Sequence, residues 1–97
     1  MEPIRELIAV DLEMTGLQVK TDRILEIGAV RLVDGQLRDT FQTFVNPHRR
    51  IDARITELTG IRPEMVEDAP EAEEALRKFL EFAGEAAFLR SEERRVG

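Results

Sequence analysis

The sequence predicts an α/β domain in which a three-stranded antiparallel sheet precedes a helical segment. Two strand-like apolar runs flank the hairpin-forming dipeptide Asp34-Gly35, a third precedes them, and an apolar stripe with helical spacing follows residue 68. With 97 residues, the chain has room for one domain. Because it has no cysteine and one histidine, disulfides, thiolate metal sites and a structural zinc site are excluded.

The three strand-like segments are rich in isoleucine, valine and leucine or alternate apolar with polar residues. In chain order they are residues 7–12, 24–33 and 36–45. A two-residue loop at Asp34-Gly35 would place Arg31 opposite Arg38, which is unfavourable, whereas a three-residue loop with a bulge would place Arg31 opposite Asp39. The sequence therefore predicts the hairpin but leaves both registers open.

Helical patterning begins at Asp52, where a short helix starts and then stops at Gly60, and one further turn covers residues 63–66. The clearest helix opens after Asp68 and closes at Gly84, with apolar residues at three- and four-residue spacing on one stripe. That stripe consists of Ala72, Ala75, Leu76, Phe79, Leu80 and Ala83.

Two carboxylates stand where the first strand gives way to a turn. Side chains alternate along a strand, so Asp11 and Glu13 are expected on one face, with Ile8, Val10 and Leu12 on the other, in a core. Carboxylates held this close repel each other unless a cation lies between them or one is protonated. Oxygen ligands favour a hard ion such as Mg²⁺ or Mn²⁺. The pair is therefore a candidate metal site.

Simpler interpretations exist for each candidate residue. Asp11 and Glu13 could form only a solvated strand end, and Thr15 could simply cap a turn. Glu26, in an otherwise apolar strand, is predicted to accept a hydrogen bond from a nearby donor rather than bind metal. The basic residues 48–50 are interpreted as a solvated loop, with a phosphate contact as the less favoured alternative.

The net charge of −6 argues against a protein that coats duplex nucleic acid, because such proteins depend on clustered lysine and arginine. It does not argue against an enzyme that holds one strand end through metal ions, since the cations then supply positive charge. No apolar run approaches the length of a membrane span, and the N-terminus lacks the charge pattern of a signal peptide. We therefore expect no membrane association and a cytoplasmic location.

Four segments together resemble the DEDD (DnaQ-like) 3′–5′ exonucleases: residues 10–17 (Val-Asp-Leu-Glu-Met-Thr-Gly-Leu), 22–30, 44–47 and 57–61. The first segment is also similar to the oligoribonuclease branch, but the later ones look more like the proofreading (epsilon) branch. The likeness covers residues 4 to 89. It implies a ribonuclease H-like fold, with three antiparallel strands, a parallel fourth strand that begins at residues 86–89, and flanking helices.

The resemblance also implies roles for individual residues. Asp11 and Glu13 would be the catalytic and metal-binding carboxylates of a two-metal site for Mg²⁺ or Mn²⁺. Asp11 would bridge both ions and Glu13 would hold the water-activating one. The residues that correspond to the family's contacts with the terminal nucleotide are Thr15, Gly16, Leu17, Leu58, Thr59 and Ile61.

The chain departs from the family after residue 89. Where the second motif's aspartate should follow, it reads Arg90-Ser91-Glu92-Glu93, so the two-metal site is incomplete and the general base is missing. We expect residues 1–89 to be the N-terminal part of an exonuclease domain. Residues 90–97 are predicted to be an unstructured tail, either from a break in the reading frame or from appended adapter sequence.

The predicted function is metal-dependent hydrolysis of terminal phosphodiester bonds at the 3′ end of single-stranded DNA or RNA, with the 97-residue chain inactive alone. The parent protein would act by itself, beside a DNA polymerase, or fused to a helicase. The alternative is a non-catalytic nucleic-acid-binding or protein-interaction fragment with the same fold. Because the first strand would have an open edge, self-association through that edge is also expected.

Overall fold

The computed structural model describes residues 5–16 and 22–84. Within these ranges three strands are followed by three helices. The elements are β1 (Glu6–Met14), β2 (Ile24–Val33), β3 (Gln36–Phe44), α1 (Ala53–Thr59), α2 (Pro63–Val66) and α3 (Ala72–Ala83). The predicted strand at 86–89 and the predicted tail at 90–97 lie outside the described residues. None of the helices described is long and apolar enough to cross a membrane.

The strands form one antiparallel sheet in the order β1-β2-β3, as predicted. Asp34 and Gly35 both have positive φ, 52° and 82°, as a two-residue type I′ turn requires. A bulge in β3 leaves Arg38 without a partner and sets Arg31 opposite Asp39. The tight turn and the favourable charge pairing therefore coexist, because the extra residue lies in the strand rather than in the loop.

The core lies on the one face of the sheet that the helices cover. On β2 the alternate residues Leu25, Ile27 and Ala29 are buried, with exposures of 0%, 1% and 6%. The buried residues that pack against them from other elements are Ile8, Val45, Ile51, Ile61, Val66, Ala75 and Ala83. Truncation of a fully buried side chain such as Leu25 to alanine typically costs about 2–5 kcal/mol of stability.

The prediction of a buried apolar face along β1 is wrong for two of its three residues. Ile8 is 9% exposed, but Val10 and Leu12 are 48% and 44% exposed. Val10 and Leu12 pair with Ala29 and Ile27, so they do lie on the helix-covered face of the sheet. They stay accessible because α3 packs across β2 and β3, and its C-terminal end reaches only as far as Ile8.

The apolar stripe of α3 is rotated from the predicted one. Ala75 and Ala83 are fully buried and Phe79 is half-buried, whereas Leu76 and Leu80 are 42% and 57% exposed. Because alanine has a small side chain, the helix lies close to the sheet at both alanines. The two leucines therefore flank the contact instead of forming it.

Arg31 fastens the end of α3 to the sheet. Its guanidinium forms an ion pair with Glu6 (2.5 Å), donates a hydrogen bond to the carbonyl of Phe82 and lies 5.0 Å from the centre of the Phe82 ring. The last carbonyls of a helix have no intrahelical partner and carry partial negative charge, so a cation there is favourable. This contact fixes where α3 ends over β2.

The short helix α1 has the predicted limits. The Asp52 carboxylate accepts a hydrogen bond from the Ile55 amide (3.0 Å), and Gly60 follows the helix with φ of 79°. These caps place α1 beside the end of β1, where the candidate site lies.

Candidate active site

Asp11 and Glu13 project from the same face of the sheet. Asp11 pairs with Gly28 and Glu13 pairs with Glu26, and the register becomes irregular only after Glu13, before Met14. Strand alternation therefore holds through both carboxylates and directs them to the face of the sheet opposite the one that α3 covers. The two residues are separated by about 6.6 Å along the strand. Asp11 is exposed and Glu13 is half-buried.

Neither carboxylate is neutralised by a neighbour that the structure describes. Within residues 5–16 and 22–84, no ion pair or side-chain hydrogen bond reaches Asp11 or Glu13. Glu26, opposite Glu13, accepts a hydrogen bond from Gln42 Nε2 (2.8 Å), which confirms its predicted role as the partner of a donor. Gly28 has no side chain to fill the space opposite Asp11, and a Cβ built there would meet only the Asp11 carbonyl oxygen at 3.9 Å.

This donor set fits a hard divalent cation. Carboxylate oxygens suit Mg²⁺ or Mn²⁺, and Mg²⁺ is commonly held by one or two carboxylates together with water and substrate phosphate. No group of three or more acidic or histidine side chains in the described ranges could hold a metal by itself. Asp11 and Glu13 therefore amount to part of a metal site, not a closed protein cage.

A cleft of about 380 Å³ lies between the end of β1 and α1. Its walls are mainly apolar, and Leu58, at its α1 side, is 77% exposed. The lining residues are Leu12, Glu13, Met14, Thr15, Gly16, Ile55, Leu58 and Thr59.

The cleft brings together Glu13 and four of the predicted nucleotide-contacting residues. Asp11 is not among the lining residues and borders a groove along the sheet instead. Ile61 is 2% exposed and lies in the core beneath α1. Leu17 falls outside the described residues.

Both threonines of the cleft already use their hydroxyl protons within the chain. Thr15 Oγ1 donates to Asp22 Oδ1 (2.8 Å) and accepts from the Arg23 amide (2.9 Å). Thr59 Oγ1 donates to the Ile55 carbonyl (2.8 Å) and accepts from the Ile61 amide (3.1 Å). Since a hydroxyl has one proton to donate, neither remains a free donor. The Thr15 hydroxyl therefore joins the turn after β1 to residues 22 and 23.

Sequence reasoning assigned no role to Asp22, yet its carboxylate lies at the centre of the turn that follows Glu13. It accepts from Thr15, lies 3.8 Å from Arg49 Nη1, and approaches Gly16 so closely that a Cβ there would be 2.5 Å from Oδ2. The signals in the sequence were an acidic residue two positions before a strand and its place at the start of residues 22–30, one of the segments that resemble the family. We call Asp22, Thr15, Gly16 and Arg49 the Asp22 cluster.

The segment after β3 is held by side-chain contacts within the chain. The Asn46 side chain donates to the Glu67 carbonyl (3.1 Å) and accepts from the His48 amide (2.8 Å), while His48 Nε2 lies 2.9 Å from Glu71 Oε1. His48 and Arg49 thus each have an acidic neighbour, Glu71 and Asp22. These contacts favour a structured surface loop over a phosphate-binding one.

Comparison with known proteins places this geometry in a family. Residues 8–95 match the family model described as Exonuclease (RNase T). A PolC-type DNA polymerase III from Caldanaerobacter subterraneus subsp. tengcongensis is 51% identical over 84 residues, which cover 87% of this chain and 6% of that protein. The chain therefore spans only a small part of this relative.

Two solved structures share the fold. The nuclease domain of 3′hExo, a DEDDh family member bound to rAMP, matches with a TM-score of 0.71 and 24% identity, over 80% of this chain and 43% of that one. Exonuclease X in complex with 5′ overhanging duplex DNA matches with a TM-score of 0.66 and 30% identity, over 75% and 42%. The predicted ribonuclease H-like fold class and DEDD resemblance are confirmed. The chain belongs to the exonuclease family that the family model describes.

Proposed function

We propose that this chain supplies the first half of the active site of a metal-dependent 3′–5′ exonuclease that hydrolyses terminal phosphodiester bonds of single-stranded nucleic acid. One observation carries the proposal: Asp11 and Glu13 project from one face, with no counter-charge in the part of the chain that the structure describes. Glu13 also borders the cleft that four of the predicted nucleotide-contacting residues line. Membership of the exonuclease family supports this assignment.

Asp11 and Glu13 would hold the metal. Bound Mg²⁺ or Mn²⁺ supplies such sites with an activated water and with stabilisation of the leaving oxygen. Asp11 would help to hold both ions of a two-metal site, and Glu13 would help to hold the ion that supplies the activated water. Two further aspartates and a general base, expected from the family's later motifs, would complete the site.

The apolar cleft would receive the terminal nucleotide. Leu58 is too exposed to contribute much to the core, and with Leu12, Met14 and Ile55 it forms an apolar wall that suits the faces of a base and a sugar. Because the hydroxyls of the cleft threonines are engaged within the chain, we expect recognition by apolar contact rather than by hydrogen bonds to particular base edges. The cleft would then accept any terminal base.

The substrate would be the 3′ end of single-stranded DNA or RNA, and the cellular location would be the cytoplasm. The net charge of −6 is compatible with this, since the bound cations would supply the positive charge. The PolC-type relative favours a parent protein that contains or accompanies a DNA polymerase. A parent fused to a helicase is the alternative arrangement.

We also propose that the chain self-associates through the outer edge of β1, which pairs with no other strand that the structure describes. Two copies of β1, paired antiparallel about Val10, would set Ile8 against Leu12 and Asp11 against Ala9. In this register every acidic residue of the strand falls opposite an apolar one, so no like charges meet.

A non-catalytic binding or interaction fragment is the second candidate function. The exposure of Val10 and Leu12 beside an open strand edge favours it, because accessible apolar strands commonly mark interaction surfaces. This function would require the fold but not the carboxylates. Substitution of Asp11 therefore separates the two candidates.

The test is Mn²⁺-dependent trimming of a 3′-labelled single-stranded oligonucleotide. The sample is a chimera in which the 84 matched residues replace their counterparts in the PolC-type relative. We expect trimming by the chimera, none by its Asp11→Ala variant, and near-normal trimming by Glu26→Gln, which keeps an oxygen to accept from Gln42. The 97-residue chain alone should be inactive. Equal trimming by the chimera and its Asp11→Ala variant would overturn the proposed function.

A further inference from the structure

We infer that Asp22 is a positioning residue for Glu13: its carboxylate sets the path of the chain at the end of β1 and so directs Glu13 toward the metal. The inference rests on the proposed function. The Asp22 side chain is only 17% exposed, so its carboxylate is held within the fold and not displayed to solvent. Such a group needs partners, and its partners come from separate segments.

The first partner is the turn that follows Glu13. Thr15 Oγ1 donates to Asp22 Oδ1 (2.8 Å), the Arg23 amide donates to Thr15 Oγ1 (2.9 Å), and the Thr15 amide donates to the Arg23 carbonyl (2.8 Å). These three bonds tie residue 15 to residues 22 and 23 just beyond Met14 and Ile24, the last pair of the ladder between β1 and β2, which follows a register shift after Glu13. They continue the restraint on the chain beyond the last pair of the ladder.

The second partner is Gly16, whose backbone lies directly against the carboxylate. A Cβ at residue 16 would lie 2.5 Å from Asp22 Oδ2 and 2.9 Å from both Cγ and Oδ1, distances that real Cβ atoms do not show. Glycine is needed here for space. The turn and the carboxylate are therefore fitted to each other.

The third partner is the loop after β3, where Arg49 Nη1 lies 3.8 Å from Asp22 Oδ1. Arg49 is 40% exposed and the separation is long, so this pair contributes little energy. Among the partners within residues 5–16 and 22–84, Thr15 and Gly16 therefore link Asp22 to Glu13, which lies two residues before Thr15. Groups that orient metal ligands affect metal affinity by about 10–100-fold when they are removed.

The test measures Mn²⁺ affinity of the 97-residue chain from the electron paramagnetic resonance signal of free Mn²⁺. Asp22→Ala removes the acceptor for Thr15, whereas Asp22→Asn removes the same charge but keeps an oxygen in place. We expect Asp22→Ala to weaken binding about 10-fold and Asp22→Asn to weaken it less than about 3-fold. Glu6→Gln, which weakens the distant ion pair with Arg31, is the control for lost stability and should bind as the wild type does.

Equal affinity of the wild type and Asp22→Ala, with a lower melting temperature for the variant, would show that Asp22 is only structural and would overturn the inference. Equal weakening of Mn²⁺ binding by both Asp22 variants would show that only the charge of Asp22 matters, and this result would also overturn the inference.

Hydrogen exchange of the Thr15 amide gives a second readout that needs no metal. We expect its protection to be lost in Asp22→Ala and kept in Asp22→Asn; retained protection in both would also refute the positioning role. Absence of Mn²⁺ binding by the wild type would count against the proposed function, while amide exchange would still decide the role of Asp22.

Discussion

Gly16→Ala should destabilise the fold through one well-defined contact. The added Cβ would lie 2.5 Å from Asp22 Oδ2, well inside the 3.0 Å that real Cβ atoms avoid. Asp22 has a short side chain that accepts from Thr15 at 2.8 Å, so it cannot move aside and keep that bond. Overpacking of this kind costs about 1–3 kcal/mol, and loss of a hydrogen bond to a charged group costs about 1.5–3 kcal/mol. We expect a fall of about 2–3 kcal/mol in the free energy of unfolding.

Gly28→Ala is the matched control. A Cβ there meets only the Asp11 carbonyl oxygen at 3.9 Å, an ordinary contact, so stability should be unchanged or rise by about 0.4–1 kcal/mol. Urea denaturation followed by circular dichroism measures both variants against the wild type. Equal stability of the Gly16 and Gly28 variants would refute the close packing of Asp22 against the turn.

Three other variants test separate parts of the structure. Arg31→Met should lower the free energy of unfolding by about 2–3 kcal/mol, because it leaves the Phe82 carbonyl without its cation. Arg62→Met, at an exposed ion pair, should change the free energy of unfolding by less than about 0.5 kcal/mol. Urea denaturation measures both variants. In sedimentation velocity, the wild type should associate with rising concentration, whereas Val10→Lys should be monomeric. A monomeric wild type would contradict self-association through the open edge of β1. Leu58→Ala should leave the melting temperature of the chimera unchanged, because the side chain is 77% exposed, yet raise the KM for oligonucleotide trimming. An unchanged KM would remove Leu58 from the nucleotide site.

Local signals were sufficient to predict most of the secondary structure. The second strand was predicted at residues 24–33, where it occurs. The turn at Asp34-Gly35 and the two ends of α1, at Asp52 and Gly60, were predictable because turn and capping preferences depend only on residues close in sequence. What covers each face was not predictable in this way. Periodicity puts Val10 on the helix-covered face, but its exposure depends on where α3 packs, which is set by contacts distant in sequence.

The same distinction between local patterns and contacts distant in sequence applies to the candidate site. Asp11 and Glu13 could be predicted to share a face because strand alternation is local and the register stays regular through both residues. Asp22 could not be linked to them, since its contact with Thr15 joins residues seven positions apart and lies beyond the strand to which alternation applies. The burial of Ile61 likewise follows from the packing of α1 and α2 against β2 rather than from its motif.

The central claim is that Asp11 and Glu13 together face a divalent cation, and line broadening of amide signals by substoichiometric Mn²⁺ tests it residue by residue. We expect broadening centred on Asp11, Glu13 and the facing Gly28, and its loss in Asp11→Ala. Broadening centred on the acidic first turn of α3 at Glu73 and Glu74, or unchanged by Asp11→Ala, would contradict the claim.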